Sequence, residues 1–156
     1  EAVDMNRIRK LSGLNPDDIR ACRDERLAHH AFVARTEKEI RFENAMAMEA
    51  VRICTRRHAG RIYAGFAAGA QEIQKGKNLR NVRTIIGTGG PIIDSPDPKR
   101  VLSQALRTPE EKDILLPDKA EFYLDTSYIF YAAGLLAKRN PELAFQILSG
   151  SLIKLD

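Results

Sequence analysis

Gly87-Thr88-Gly89-Gly90, followed at once by Pro91, is the stretch of this sequence suited to close approach by a ligand. Ile85 and Ile86 run into it and Ile92 and Ile93 leave it, so a strand feeds a turn almost free of side chains. Without Cβ atoms, Gly87, Gly89 and Gly90 can take positive φ and let a flat ring or a phosphate lie against the backbone. The same residues equally suit a tight strand-exit turn packed against a helix, and the pattern alone leaves both readings open. Two familiar phosphate-binding motifs are excluded. A dinucleotide fingerprint needs a third glycine where Ile92 stands, and a P-loop needs Gly-Lys-Ser/Thr, which neither Gly90-Pro91 nor Gly76-Lys77-Asn78 supplies.

Other polar candidates carry weaker signals. His58 falls on an apolar helical stripe, where it is either a group near an adenine or ribose or a locally bonded structural histidine. His29 and His30 are adjacent, so on a helix they point about 100° apart and cannot share a metal. Glu49, Arg52 and Arg56 recur at spacings of three and four, which suits a solvated, salt-bridged helix face more often than a nucleotide contact. Asp125 suits a helix N-cap better than a ligand contact. Lys75 and Lys77 flank Gly76 and fit either a phosphate or a charged hairpin rim. Cys54, on an apolar stripe, reads as core, and no Ser-His-Asp or Cys-His arrangement can be picked out.

The elements that must position these residues are helix-rich. Asn15-Pro16-Asp17-Asp18 starts one helix, which should end before Thr36. Thr36 and Glu39 have capping-box spacing and open the longest helix, roughly 37 to 59 and running on toward Phe66. Its expected apolar stripe is Ala47, Val51, Cys54, His58 and Ile62, with Arg52, Arg56 and Arg57 mostly off it. Gly60, Gly65, Gly69 and Gly76 then break the chain into short pieces. Strands are predicted at Gln71–Lys75, Arg83–Ile86, Ile114–Leu116 and Phe122–Leu124. Further helices are predicted from Pro98 through Leu106, after Asp125 or Thr126, and from Asn140-Pro141, with the helix after the glycine turn starting several residues later. The expected organisation is one α/β domain over 1–156, mainly helical over 1–69 and strand–glycine turn–helix over 70–156.

Composition narrows the class. At 156 residues, 44% apolar and 29% charged, the chain has the make-up of an ordinary soluble globule able to bury a core. No apolar run approaches the ~18 residues of a membrane helix, and the first ten residues lack a signal-peptide apolar region. Two cysteines without a Cys-x-x-Cys motif point to a reducing, cytoplasmic setting. The net charge of +4 is spread over amphipathic helices with only six Phe and four Tyr, which argues against nucleic acid as a partner.

The stretches RRHAGRI (56–62), GKNLRNVRTIIGTGGPIIDSPDP (76–98), LLP (115–117), FYLDTSYIFYAAGLLA (122–137) and NPELAFQIL (140–148) resemble, in order, the C-terminal part of the glutamate mutase MutL family. That resemblance implies the C-terminal part of an actin-like (ribonuclease H-like) ATPase lobe, the superfamily of hexokinase and the diol dehydratase reactivases. In those proteins a strand ending in a Gly-Gly turn packs against the adenosine of ATP. Gly87, Thr88, Gly89 and Gly90 match that turn, and His58 is the further candidate near the nucleotide. The resemblance implies ATP/ADP with Mg in an intact protein that reactivates an adenosylcobalamin-dependent aminomutase, of glutamate or ornithine mutase type. Its partners would be the mutase subunit and an N-terminal lobe of the same protein.

The two Asp-x-Gly-type phosphate hairpins of that superfamily do not occur between Glu1 and Asp156. The expectation is therefore a fragment carrying half a nucleotide site, with no catalytic residues, no metal site, no tight nucleotide binding and no ATPase activity of its own. The other expectation, from a different class, is a non-catalytic interaction module whose glycine turn is purely structural.

Overall fold

The computed structural model describes residues 3–65 and 72–156. Helix α1 (Met5–Ser12) is capped by Asp4 and stopped by Gly13, whose φ of 65° is the left-handed stop that glycine adopts without strain. Helix α2 (Pro16–Ala28) starts as expected, with the Asn15 side chain accepting from the Asp18 N–H. Helix α3 (Glu37–His58) opens on a complete capping box between Thr36 and Glu39. At 22 residues it is the longest element and the spine of the molecule, touching α1, α2, α4 and α5.

The buried face of α3 differs from the predicted stripe. Phe42, Ala45, Met48, Glu49, Ile53 and Arg56 are buried, whereas Cys54 and His58 are exposed. Ile62 has left the helix for a strand. Of the predicted stripe, Ala47 is buried and Val51 half-buried against the core, so it holds over the middle of the helix and fails at Cys54 and His58, where Ile53 and Arg56 turn inward instead. Two members of the buried face are charged, which a stripe traced through apolar residues alone cannot find. Burying a charge requires pairing, and both charges are paired. Glu49, fully buried, meets Arg52 through two 2.8 Å hydrogen bonds and Arg7 at 2.8 Å. Arg56 forks onto Glu111 at 2.6 and 2.7 Å and donates to the Gln104 and Leu106 carbonyls at 2.8 and 3.2 Å. The expected solvated face is thus a set of buried clamps.

Beyond α3 the chain makes two small sheets. Strands β1 (Arg61–Ala64) and β2 (Glu72–Lys75) pair antiparallel, Arg61 opposite Lys75. The extension of α3 toward Phe66, the Gln71 end of the second strand and the 69/70 boundary lie outside the described residues. The β1–β2 ribbon closes on a backbone crossing. The Gly60 N–H donates to the Lys77 carbonyl at 2.7 Å, and a Cβ on Gly60 would lie 2.6 Å from the Gly76 carbonyl carbon. Gly76 itself sits at φ 90°, so both positions need glycine.

Residues 114–116 do not form the predicted strand. They run fully buried, with one antiparallel bridge between Ile114 and Arg61 of β1; Leu115 donates to the Gly60 carbonyl and accepts from the Leu79 N–H.

The second sheet has the order β3–β4–β5. Strand β3 (Thr84–Gly87) runs parallel to β4 (Glu121–Asp125), with Gly87 opposite Leu124. Strand β5 (Leu152–Leu155) joins β4 antiparallel from the other side. Helix α4 (Gly90–Ile93) begins directly at the glycine turn, not several residues later. It is followed by α5 (Pro98–Ser103), capped by Asp97 and shorter than predicted. Helices α6 (Phe130–Leu136) and α7 (Pro141–Ser151) pack as a hairpin, and α7 passes straight into β5. Neither α1 nor β5 was signalled by the sequence patterns.

Candidate functional site

The glycine turn sits where β3 ends, beside the carboxyl end of its parallel neighbour β4. In open α/β sheets ligands bind at the carboxyl ends of parallel strands, because the loops there diverge and leave a crevice. The residues of the turn divide by task. Gly87 is buried, and a Cβ there would meet Ile92 and both methyls of Leu102 at 3.0 Å, so this glycine serves packing. Gly89 holds φ 98°, a conformation side chains rarely adopt. Gly90 has no positive φ, and its missing Cβ faces open space except for an Asp94 carboxylate oxygen at 3.7 Å. Gly90 thus leaves space open beside the turn, while Gly87 is spent on packing.

That opening belongs to a cleft of about 310 Å³. One wall is Gly90, Pro91, Asp94, Ser95 and Pro96; the other is Ile40, Glu43 and Asn44 of α3 with Phe32 to Ala34. Ser95 donates to Asn44 Oδ1 at 2.7 Å across its edge. The far wall is fixed by Arg26, whose guanidinium lies 4.6 Å from the centre of the Phe32 ring and 4.8 Å from that of Phe42, and which also pairs with Glu43. The cleft is mixed in polarity and, at Gly90, bounded by backbone without a side chain.

Behind the turn lies Asp125, fully buried at the end of β4. It is not the cap residue itself: Ile129 holds that position, with no side-chain bond of its own. The Asp125 carboxylate instead accepts from the Ile129 and Phe130 N–H groups at 3.2 and 2.9 Å and from the Thr88 hydroxyl at 3.1 Å. Burial pushes its pKa up; these donors and the Ser151 hydroxyl outweigh that and hold it below the ordinary aspartate value. One ionised side chain so ties the glycine turn to the loop before α6. That loop carries Tyr128, which has φ 53° and a ring 3.9 Å from where a Gly89 Cβ would be. Sequence reasoning passed over Tyr128, since nothing in its neighbours signals positive φ.

His58 is not part of this constellation. It lies about 21 Å along α3 from Asn44 at 1.5 Å rise per residue, exposed, its Nε2 3.2 Å from Lys77 Nζ. Lys75 and Lys77 belong to the same distant ribbon end. Among the described residues no group of three His, Cys, Asp or Glu is placed to hold a metal, and no helix is long and apolar enough to cross a membrane.

Fold and site together define an α/β protein whose crevice opens at a glycine turn between a parallel strand pair and a long helix. The family follows from comparison with known proteins: the chain belongs to the MutL family, whose profile, described as MutL protein, matches residues 1–152. It is similar to Protein MutL of Clostridium tetanomorphum, 36% identical over 155 residues, covering 99% of this chain and 34% of that relative. The chain thus spans about a third of the relative's length. No solved structure matches it.

Proposed function

We propose that this chain forms the adenosine-binding part of a MutL-type, actin-like ATPase. The longer protein would act as a reactivating, chaperone-like factor for an adenosylcobalamin-dependent aminomutase of the glutamate mutase type. The observation that carries the reading is Gly90, whose missing Cβ leaves open space apart from Asp94 and which, with Pro91, lines the cleft against Ile40 and Asn44. Membership of the MutL family supports the mutase-system setting. A purine fits such a place: apolar faces lie on Ile40 and Pro91, and Asn44 and Asp94 supply edge hydrogen bonds. Among the described residues no group of His, Cys, Asp or Glu is placed to hold Mg²⁺, so in this reading the metal is held by residues elsewhere in a longer protein. In the whole protein ATP supplies the energy of hydrolysis; this chain's residues bind and orient the nucleoside. The cytoplasm is the proposed setting.

The fragment reading makes a binding prediction. Charge-assisted phosphate bonds, each worth about 1.5–3 kcal/mol, are missing here, so adenosine and ATP should bind weakly and with similar affinity. Thermal melts with millimolar adenosine should raise the Tm of wild type but not of Gly90→Val. Gly90 lacks positive φ, so strain there is limited to what a β-branched residue before Pro91 incurs. Tight, Mg²⁺-dependent ATP binding by this chain, or a full Tm rise in folded Gly90→Val, would overturn the reading.

A second reading has its own support. Tyr131, Leu135, Leu143 and Phe145 stand exposed on the α6–α7 hairpin, and Gly87 is spent on packing. Both suit an interaction module with a structural turn. It predicts no nucleoside-induced Tm rise, either in this chain or in the full-length protein.

A further inference from the structure

We propose that the cavity at the amino ends of β3 and β4 is a second binding site, for a diphosphate group. It stands apart from the glycine turn, which lies at the carboxyl ends of the same two strands. The cavity holds about 670 Å³, against about 310 Å³ for the cleft at Gly90. Its wall is made of residues 80–83, which lead into β3, and 118–121, which lead into β4. Backbone groups fix both segments. The Arg80 N–H donates to Asn78 Oδ1 at 3.1 Å and the Val82 N–H to the Leu79 carbonyl at 3.0 Å, which closes a turn over 78–82. The Leu79 N–H donates to the carbonyl of the buried Leu115 at 2.8 Å. The Glu121 N–H donates to the Arg83 carbonyl at 2.8 Å, which ties the two segments to each other.

The charges of the wall are the second observation. Three cations line it, Arg80, Arg83 and Lys119, with two carboxylates, Asp118 and Glu121. Those carboxylates pair with cations outside the lining: Asp118 accepts from Arg107 Nε at 2.7 Å, and Glu121 pairs with Lys154. Among the described residues Arg80, Arg83 and Lys119 have no ion pair, and Arg80 makes only a long 3.5 Å bond to the Lys112 carbonyl. Five cations thus meet two carboxylates, and the cavity keeps a surplus of three positive charges. Like charges gathered in one concavity repel, and a multivalent anion removes that cost. Arginine forks match the oxygens of phosphate and carboxylate alike. The size of the surplus separates the two, since a diphosphate group concentrates about as much negative charge as the wall lacks, whereas a dicarboxylate falls short.

The test is calorimetry with inorganic pyrophosphate, without Mg²⁺, on this chain. Wild type should bind it, more weakly as salt rises from about 50 to about 300 mM. Arg83→Gln with Lys119→Gln should lower the affinity about tenfold or more, while the unliganded Tm stays level or rises because repulsion is relieved. Arg9→Gln with Lys10→Gln makes the same change in net charge on α1, at exposed residues outside the cavity, and should leave the affinity as it was. CDP tells the source of the group: tighter binding than pyrophosphate means an ester, weaker binding the free anion, and either is lost in the cavity variant. Absence of pyrophosphate binding at low salt, or an equal loss in the α1 variant, overturns the site. Citrate binding as tightly as pyrophosphate overturns the diphosphate assignment, and so does tighter capture of a hexaglutamate peptide, which would make the cavity a docking place for an acidic protein segment.

Discussion

Replacing Arg56 by methionine tests whether the charged half of the α3 face holds the molecule together. The Arg56 side chain is 5% exposed and saturated: two bonds to Glu111, two to the Gln104 and Leu106 carbonyls. Methionine restores most of the apolar stem, so the loss is the head group and its partners' unmet bonds. Removing one partner of a buried pair costs about 3–5 kcal/mol. Glu111 keeps partial contact with water and a 3.0 Å bond from the Thr108 N–H, which places the estimate near ~3 kcal/mol. At about 2–4 °C per kcal/mol for a chain of this size, the Tm should fall by about 6–12 °C.

The pH dependence carries the sign. Burial raises the Glu111 pKa, but Arg56 and the Thr108 N–H outweigh it and hold the group below its ordinary value. The stabilisation from Glu111 is therefore full above the ordinary glutamate pKa, about 4.3, and is lost as pH falls through the lower folded value. The gap between wild type and Arg56→Met, followed by urea denaturation from pH 7 to pH 3, should narrow in acid. A gap under about 1 kcal/mol at pH 7, or one that widens in acid, refutes the clamp.

Two further substitutions probe the frame of the site. Gly60→Ala places a Cβ 2.6 Å from backbone atoms of Gly76 and Lys75, so it should cost about 2–3 kcal/mol by denaturant unfolding; an unchanged midpoint would show that the crossing can relax. Asp125→Asn puts an amide where three donors converge and should cost about 1–3 kcal/mol at neutral pH, read from the same unfolding curves; wild-type stability would mean that the buried carboxylate is dispensable.

Helix starts were legible because their signals are local. Asn15-Pro16, the Thr36–Glu39 box and Asn140-Pro141 each satisfy their own backbone within three residues. Strands β3 and β4 announced themselves by apolar runs ending in turn chemistry. What escaped was set by distant partners. Glu49 and Arg56 face inward only because Arg7 and Glu111 arrive from elsewhere in the chain, so the predicted apolar stripe kept the buried Ala47 but ran on to the exposed Cys54 and His58. β5 is short and reads as the tail of α7 until β4 offers it an edge. At the glycine turn, the positive φ of Gly89 was legible from residue type; the positive φ of nearby Tyr128 was not, because its loop is tied to the buried Asp125 rather than to any local signal.

The order of the sheet has a consequence for biosynthesis. β4 is the central strand, and its antiparallel partner β5 is made only after α6 and α7. The helical part Met5–His58 packs largely on itself and can settle while translation continues. The crevice end of the sheet cannot. β4 waits with one edge unpaired until Leu152–Leu155 emerge, and an unpaired apolar edge is where nascent chains associate wrongly. The crevice end of the sheet, with the glycine turn, therefore gains its full backing only once β5 has joined β4.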